Sequence, residues 1–270
     1  MIVSAVQYST EGVKDIREKA LTLIKQAMKE KPDFILLQEL FNTIYFPQYE
    51  DKRYFELAET IPGPTTLAIQ KLIEGTSVTV VAPIFEKDGG SYYCAACVID
   101  AKEGHLGTYR KLHIPTVPAI HETYYFQPGD LGHRVFETRS ANIGIMLCYD
   151  RHFPESARLY GKSLVDILFV ASATPKSSAG PWFFEQQAHA FSNCFALVCS
   201  NRSGVEDKIQ FLGSSFMCDH KGKMLETAEE KEDQIISCEI DIGVIRKAKK
   251  ELAFYRDRRP DLYRALVKGN

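Results

Sequence analysis

The chain has 270 residues, of which 45% are hydrophobic and 25% charged, a composition typical of a globular protein with a large core. Its formal net charge of −2 and pI near 6.4 provide no basic field for nucleic acid or an anionic membrane. No stretch approaches the roughly 18 apolar residues that span a bilayer, and the first residues do not resemble a secretion signal. We therefore expect a cytoplasmic protein that acts on small molecules.

The seven cysteines form an odd set, and most of them lie in apolar runs, which suits reduced and buried thiols better than disulfides. Cys94 and Cys97 form a CxxC pair, which is a known redox and metal-binding motif. Their run, SYYCAACVID, is strand-like, and no second pair or paired histidines complete a zinc site. We therefore predict a structural role for both thiols and no bound metal.

In the first half of the chain, short apolar runs alternate with segments of helical periodicity. A strand, a helix and a strand are followed by another helix and three strands. These elements are residues 2–8, 13–30, 34–38, 64–75, 78–86, 92–100 and 104–110. Residues 111–130 then carry three prolines without a clean period, so we predict an irregular loop that forms one wall of a functional site.

The second half of the chain repeats the order of strand, helix and strand. It comprises residues 141–148, 153–164 and 165–172, then helix 183–194 and strands 195–201, 211–219, 222–228 and 234–241. The alternation predicts an α/β fold with helices on the faces of its sheets. Because no linker or composition shift divides the chain, we predict one domain over residues 1–270, with a carboxy-terminal extension from about residue 245.

Three chemically reactive side chains follow directly after predicted strands, where α/β sheets commonly bind ligands. They are Glu39 after FILLQ, Lys111 after GHLGTYR and Cys148 at the end of ANIGIMLC. A carboxylate, an ammonium and a thiol suit proton transfer, oxyanion stabilisation and nucleophilic attack, respectively. Each residue alone also has a simpler explanation, because most glutamates and lysines are exposed and most cysteines are merely buried.

The corner that begins at Cys148 has further features of a nucleophile site. The strand turns through Tyr149, Asp150 and Arg151 into a helix whose start is marked by Pro154, in outline like the nucleophile elbow of serine hydrolases. A thiol near a helix N-terminus and basic residues has a lowered pKa, as a nucleophile requires. We therefore expect the pKa of the Cys148 thiol to be lowered.

These segments resemble the nitrilase, or carbon–nitrogen hydrolase, superfamily. That family carries a glutamate, a lysine and a cysteine in this order on separate strand ends, matched here by QEL, YRKLHIP and MLCYDRHFPE. A fourth family segment is matched by HETYYFQPGD, which contains Glu122. The segments SATPKSSAGPW, GSSF and YRDRRPDLY extend the resemblance over nearly the whole chain.

The resemblance implies a four-layer α-β-β-α sandwich that assembles through helix faces into homodimers or larger homo-oligomers. It also implies a hydrolase without a cofactor, in which Cys148 attacks an amide or ureido carbon and Glu39 transfers protons. Lys111 and the backbone N–H of Tyr149 would hold the oxyanion. Glu122 would be a second catalytic glutamate, which orients Lys111 or the substrate.

The residues after the cysteine indicate a substrate class. Arg151 matches a position at which N-carbamoyl amino acid hydrolases bind the substrate carboxylate, whereas CYDRHFPE departs from the CWDQWFPE type of N-carbamoylputrescine amidases. We therefore expect an N-carbamoyl amino acid, such as N-carbamoyl-β-alanine, with His152, Tyr45 and Thr174 as further substrate-binding residues. An Arg151 that only pairs with a structural acid is the simpler alternative.

Other interpretations stay open at this point. The chain is alternatively an N-carbamoylputrescine amidase, an aliphatic amidase, an acyltransferase that passes the acyl group to an amine, or a catalytically silent regulatory or binding subunit. The four matched residues argue against a silent subunit. His113, His121 and His152 lie near the predicted site without metal-ligand spacing, so we expect them to be structural or to line the pocket.

Overall fold

The computed structural model describes residues 1–230 and 233–267, so residues 231–232 and 268–270 of the predicted domain lie outside the described part. The helices in the described ranges are α1 (Ile16–Ala27), α2 (Pro64–Ile73), α3 (Glu122–Tyr125), α4 (Pro154–Lys162), α5 (Trp182–Asn193) and α6 (Ile242–Glu251). The strands are β1 (Ile2–Gln7), β2 (Phe34–Leu37), β3 (Thr79–Asp88), β4 (Ser91–Asp100), β5 (Gly104–Arg110), β6 (Phe136–Glu137), β7 (Asn142–Leu147), β8 (Ile167–Ser172), β9 (Ala196–Asn201), β10 (Val205–Glu206), β11 (Ile209–Gln210), β12 (Phe216–Cys218), β13 (Met224–Thr227) and β14 (Gln234–Glu239).

Most of the strands form two six-stranded sheets. Sheet 1 has the order β14-β1-β2-β3-β4-β5, and sheet 2 has the order β13-β12-β9-β8-β7-β6. β1, β2 and β3 are parallel, and so are β7, β8 and β9. β4 is antiparallel to both β3 and β5, so β5 runs in the same direction as β2. The carboxyl ends of β2 and β5, which precede Glu39 and Lys111, therefore lie at the same end of sheet 1.

Both sheets are covered on both faces. Successive side chains of a strand point to opposite sides, so each strand packs against two layers. In β8, Ile167, Phe169 and Ala171 pack between the two sheets, whereas Leu168 and Val170 pack with side chains of α4 and α5. α1 and α2 cover the outer face of sheet 1 in the same way. The predicted four-layer α-β-β-α sandwich is confirmed.

The differences from the predicted elements are local. Loop 111–130 contains one helical turn, α3, and only Phe216–Cys218 of the predicted strand 211–219 pairs as a strand. The short strands β6, β10 and β11 were not predicted, because two residues are too few to show a period. α6 was also not predicted, and Ile245 is its one buried residue. Its sequence signal is the N-cap Asp241, whose carboxylate accepts from the Val244 N–H at 3.1 Å.

Cys94 and Cys97 point to opposite faces of β4, as their spacing in a strand requires. The Cys94 side chain packs in the core between the sheets, and the Cys97 side chain packs in the core beneath α1 and α2. The two thiols therefore cannot ligate one metal ion. Within the described ranges, no group of His, Cys, Asp or Glu is arranged to hold a metal, and no helix is long and apolar enough to cross a bilayer.

Gly144 lies where α4 packs closely on β7. A Cβ at this position would be 2.6 Å from Cδ1 of Tyr160, a buried residue whose hydroxyl donates to the Ile145 carbonyl. We predict that Gly144→Ala lowers the free energy of unfolding by roughly 1–3 kcal/mol, because the Tyr160 ring must shift in a packed core. Urea denaturation measures this change. Gly180→Ala is the control, since a Cβ there meets open space. Equal stability of the two variants would contradict the prediction.

Candidate active site

Lys111 lies at the centre of the candidate site. Its ammonium nitrogen is 2.9 Å from Oε1 of Glu39 and 2.6 Å from Oε2 of Glu122. All three side chains are buried, and those of Lys111 and Glu39 are 0% exposed. The structure thus brings together three of the four residues predicted to carry the chemistry, in a network of one cation and two carboxyl groups.

The backbone of Lys111 is fixed on both sides. Its N–H donates to the Cys94 carbonyl at 2.8 Å, and its carbonyl accepts from the Gly129 N–H at 2.8 Å. Gly129 allows this contact, because a Cβ there would be 2.3 Å from the Arg110 carbonyl oxygen. The loop after β5 therefore returns to its starting point, and in doing so it carries Glu122 back to Lys111.

The carboxylate of Glu39 is held at both of its oxygens. Oε1 accepts from Lys111, and the thiol of Cys94 donates to the same oxygen at 3.5 Å. Oε2 accepts from the backbone N–H of Ala173 at 3.0 Å. Because Ala173 follows β8, Glu39 is oriented by groups from both sheets. The contact of Cys94 with Glu39 was missed, since the strand pattern predicted only that this thiol is buried.

Arg202 fixes the turn that carries Glu39. Its side chain is fully buried, and Nη2 donates to the carbonyls of Glu39, Leu40 and Thr43 at 3.2, 2.7 and 3.1 Å. Nη1 pairs with Oε1 of Glu206 at 2.5 Å. Sequence reasoning missed this pair. The available signal was NRSGVE, in which opposite charges four residues apart follow the apolar run FALVC and Ser200.

Tyr45 and Thr174, both predicted to bind substrate, lie in the site. The hydroxyl of Tyr45 donates to Oε1 of Glu122 at 2.9 Å, and its backbone N–H donates to Glu206 at 2.7 Å. Oγ1 of Thr174 is 3.7 Å from Sγ of Cys148. Tyr45 therefore orients a carboxyl group of the network, and Thr174 contacts the thiol. Their roles toward substrate stay predictions.

Cys148 begins a 3-10 turn, Cys148–His152, directly after β7. Its φ of 43° lies in the left-handed region, which is uncommon for a residue other than glycine and often marks a functional position. The side chain is only partly buried, in contrast to Glu39 and Lys111. The predicted corner between strand and helix is present, and Cys148 lies on it as a partly buried residue.

The guanidinium of Arg151 has partners within the protein. Nη1 donates to the Cys148 carbonyl at 3.0 Å and lies 3.6 Å from its Sγ. Nε is 3.4 Å from Oε2 of Glu185, and the guanidinium lies over the Trp182 ring at 5.3 Å. Glu185 also pairs with Nδ1 of His152 at 2.8 Å. Arg151 therefore forms an ion pair with an acid of the protein, as the simpler alternative for this residue predicts. Binding of a substrate carboxylate by Arg151 or His152 stays a prediction.

The two other histidines near the site also pair with carboxylates. Nδ1 of His113 is 2.7 Å from Oδ1 of Asp150, and Nδ1 of His121 is 3.0 Å from Oε1 of Glu50. The His113 ring also stacks on Phe153, with ring centroids 3.6 Å apart. That these histidines are structural or line the pocket stays a prediction.

The charge network keeps Lys111 protonated. Burial by itself lowers the pKa of the Lys111 ammonium, but the negative charges of Glu122 and Glu39 outweigh it and hold that pKa well above its ordinary value. Burial raises the pKa of the Glu122 carboxyl, and Lys111 offsets only part of this effect. A permanent positive charge beside a partly exposed thiol can stabilise an oxyanion.

The pKa of the Cys148 thiol is raised, so the predicted lowering is wrong. Burial raises this pKa most, the negative charge of Glu39 raises it further, and the nearby Lys111 and Arg151 do not compensate. The sequence showed the basic neighbours and the helix start but not the desolvation or the approach of Glu39. The free thiol therefore needs a base to remove its proton, and Glu39 lies within electrostatic reach.

A cavity of about 470 Å³ adjoins the site. Its walls are residues 118–120, 175–177 and 208–210. Each wall lies close in sequence to a residue of the site or to a residue that packs against the site. Ile120 lies two residues before Glu122, Pro175 follows Thr174, and Gln210 precedes Phe211. The Phe211 ring packs edge-on against Tyr45, with centroids 5.3 Å apart. We call it the entrance cavity, and it is large enough to hold a small molecule.

Residues 2–250 match the family model described as carbon-nitrogen hydrolase. The chain belongs to the carbon–nitrogen hydrolase family. This carbon–nitrogen hydrolase is 35% identical to the N-carbamoylputrescine amidase of Solanum lycopersicum, over 98% of this chain and 94% of that protein. It is 34% identical to the citrullinase of Francisella tularensis, over 91% of this chain and 90% of that protein. A carbon-nitrogen hydrolase structure from Helicobacter pylori G27 is 32% identical, covers 99% of this chain and 98% of its own, and has a TM-score of 0.92.

We predict that alkylation of Cys148 by iodoacetamide has a pH midpoint above that of an ordinary thiol, about 8.5, because burial and Glu39 disfavour the thiolate. Glu39→Gln removes one negative charge and is expected to move the midpoint to lower pH. Mass spectrometry of the peptide that contains Cys148 measures the labelling rate at each pH. The control is Glu103→Gln, an exposed acid on the turn between β4 and β5. A midpoint that Glu39→Gln leaves unchanged would show that the assigned cause is wrong.

Proposed function

We propose that the protein hydrolyses a C–N bond of N-carbamoyl compounds through a covalent intermediate on Cys148. The observation that carries this proposal is the buried Lys111 ammonium, held by two carboxyl groups beside a partly exposed thiol. Such a site combines a nucleophile, a base and a fixed positive charge, which are the groups that acyl transfer needs. The names of the amidase and citrullinase relatives support a carbamoyl substrate.

In the first half-reaction, Glu39 accepts the thiol proton of Cys148 while the sulfur attacks the ureido carbon. The carbonyl electrons move to oxygen, and Lys111 and the Tyr149 N–H stabilise the resulting oxyanion. The oxyanion then collapses, and the bond from carbon to the terminal nitrogen breaks. Glu39 returns the proton to that nitrogen, which leaves as ammonia.

In the second half-reaction, Glu39 removes a proton from water as the water oxygen attacks the S-carbamoyl carbon. The bond between carbon and sulfur breaks, and Cys148 regains a proton from Glu39. The released N-carboxy amine loses carbon dioxide. Each turnover thus converts one N-carbamoyl compound and one water into an amine, carbon dioxide and ammonia.

Glu122 acts through Lys111 in this mechanism. It accepts from the ammonium at 2.6 Å and from the Tyr45 hydroxyl at 2.9 Å, so it fixes the direction of the Lys111 side chain. Without Glu122, the buried ammonium would have one partner fewer and would lose its proton more readily. We therefore assign to Glu122 the role of orienting Lys111 and maintaining its charge.

The charge of the entrance cavity favours a substrate with a carboxylate at its far end, such as N-carbamoyl-β-alanine. The lining residues include Lys176 and Lys208 and no acid, and Lys208 carries this argument because Lys176 pairs with Glu230 outside the lining. Arg151, near the thiol, adds a third cation in the region, although Glu185 offsets it. N-carbamoylputrescine is the second candidate, favoured by the name of the 35% identical relative. Its ammonium end would need an acidic partner in place of these lysines.

We predict that the purified protein releases ammonia from N-carbamoyl-β-alanine faster than from N-carbamoylputrescine, citrulline, simple aliphatic amides or nitriles. Ammonia assays on this panel test the substrate, and intact-mass spectrometry tests for an adduct on Cys148. Cys148→Ala is the control and is expected to show neither adduct nor ammonia. Turnover of N-carbamoylputrescine alone would overturn the carboxylate assignment, and turnover of no ureido compound would overturn the proposed function. Transfer of the acyl group to an added amine in preference to water would identify an acyltransferase.

We also propose that the chain forms a homodimer through the outer face of α4 and α5. Phe184 and Phe191 of α5 are 66% and 52% exposed, and Leu159 of α4 is 43% exposed. The Phe254 ring, 42% exposed, packs against Phe191 and extends this apolar patch. Exposed apolar patches commonly mark protein interfaces. A second copy can cover this face symmetrically, and the family resemblance implies assembly through helix faces.

We predict that the wild-type protein in solution has a mass of at least twice 30.5 kDa and that Phe184→Ser with Phe191→Ser yields monomers. The reason is that each substitution removes apolar area from the proposed interface. Light scattering coupled to size-exclusion chromatography measures the mass. Leu67→Ser is the control, because Leu67 is 57% exposed on α2, which covers the other sheet. A monomeric wild-type protein would contradict the dimer.

The remaining proposals concern the domain and its location. We propose that the chain is one domain, because a single core lies between its two sheets. The carboxy-terminal extension packs on this domain through Tyr255, whose hydroxyl donates to the Asn193 carbonyl at the end of α5. We propose a cytoplasmic location, which the seven unpaired cysteines favour.

A further inference from the structure

Asp150 is a buried carboxylate near the candidate nucleophile Cys148. It has no part in the proposed mechanism. It lies two residues after Cys148, and its side chain is 0% exposed. Buried carboxylates without a charged partner or several donors are rare in proteins, because desolvation is costly. The partners of Asp150 therefore indicate what it does.

Four donors surround the two oxygens of Asp150. Oδ2 accepts from the Tyr109 hydroxyl at 2.6 Å and from the Leu147 N–H at 3.0 Å. Oδ1 accepts from the backbone N–H of His113 at 3.0 Å and is 2.7 Å from its Nδ1. Both oxygens of the carboxyl group are thus held by groups of the protein.

The donors come from two separate parts of the fold. Leu147 is the last residue of β7 and directly precedes Cys148. Tyr109 lies in β5, two residues before Lys111, and His113 lies two residues after Lys111. Asp150 thus connects the corner that carries the thiol in sheet 2 to the strand end that carries the ammonium in sheet 1. The stacking of His113 on Phe153 strengthens the same connection.

We propose that Asp150 is a positioning residue that sets the distance between Cys148 and Lys111. It acts through the 3-10 turn on one side and through the end of β5 on the other, without contact with the substrate. This inference rests on the proposed function, in which the oxyanion formed at Cys148 must meet the Lys111 ammonium. Such geometry is exacting, because a misplacement of about 1 Å can lower a rate by about 100-fold.

The test uses Asp150→Asn, which keeps the shape of the side chain but replaces one acceptor oxygen by a donor NH₂ group. It therefore loses bonds on either the Tyr109 side or the His113 side. We expect kcat for the preferred N-carbamoyl substrate to fall roughly 10- to 100-fold, with KM changed less than about threefold because substrate contacts are kept. Rates are normalised to folded protein, measured by circular dichroism.

Asp166→Asn is the matched control. Asp166 is also a buried aspartate of sheet 2, 1% exposed, and it accepts from the Asn142 N–H at 3.0 Å and from Arg246 at 2.7 Å. It precedes β8, at the end of that strand away from Thr174 and the site. We expect Asp166→Asn to lower stability without a comparable loss of kcat. Equal kcat losses in the two variants would overturn the inference.

Tyr109→Phe is the second variant and covers the case in which Asp150→Asn fails to fold. It removes one of the four donors and retains the carboxylate. We expect a kcat loss of roughly 3- to 10-fold, and little further loss when Tyr109→Phe is combined with Asp150→Asn. A wild-type kcat for Tyr109→Phe would overturn the inference. Failure of the proposed function is recognised separately, because the wild-type protein would then turn over no ureido compound.

Discussion

The buried ammonium of Lys111 is the interaction on which the rest of the site depends. It lies between Glu39 and Glu122, at 2.9 and 2.6 Å, where none of the three side chains is exposed beyond 2%. Buried charges are tolerated only when they are paired, so loss of one partner leaves an uncompensated charge in the core. Because the second oxygen of Glu39 accepts from Ala173, after β8, this network is complete only when both sheets have packed together.

Further buried charges hold this network in place. Arg202 binds three carbonyls of the Glu39 turn and pairs with Glu206. Asp150 connects the Cys148 corner to the strand that ends before Lys111. A site that must stabilise a developing negative charge benefits from such rigidity, since groups that are already oriented need not reorganise during the reaction. Cys148, beside this network, is less deeply buried than Glu39 and Lys111.

Much of the fold and of the candidate site was predictable from local patterns. The apolar run FILLQ predicted a strand and placed Glu39 after it, and the family segments identified Lys111, Glu122 and Cys148. The contacts of Arg202 and Cys94 left no comparable signal. Arg202 binds backbone carbonyls far away in the chain, and a donor to a carbonyl requires no particular residue type at the other end. α6 was missed although Ile242, Ile245 and Ala248 recur at helical spacing.

The sequence by itself determined the alternation of strands and helices, the strand ends that carry the reactive residues, and the family. These properties depend on neighbours along the chain, so they can be read without coordinates. Only the tertiary structure decided the direction in which the pKa of Cys148 is shifted and the partners of Arg151. The pKa of a thiol depends on the water excluded around it and on the distance to Glu39. Likewise, the sequence shows that Arg151 is basic, but its ion pair with Glu185 forms only because α5 packs against the corner after β7.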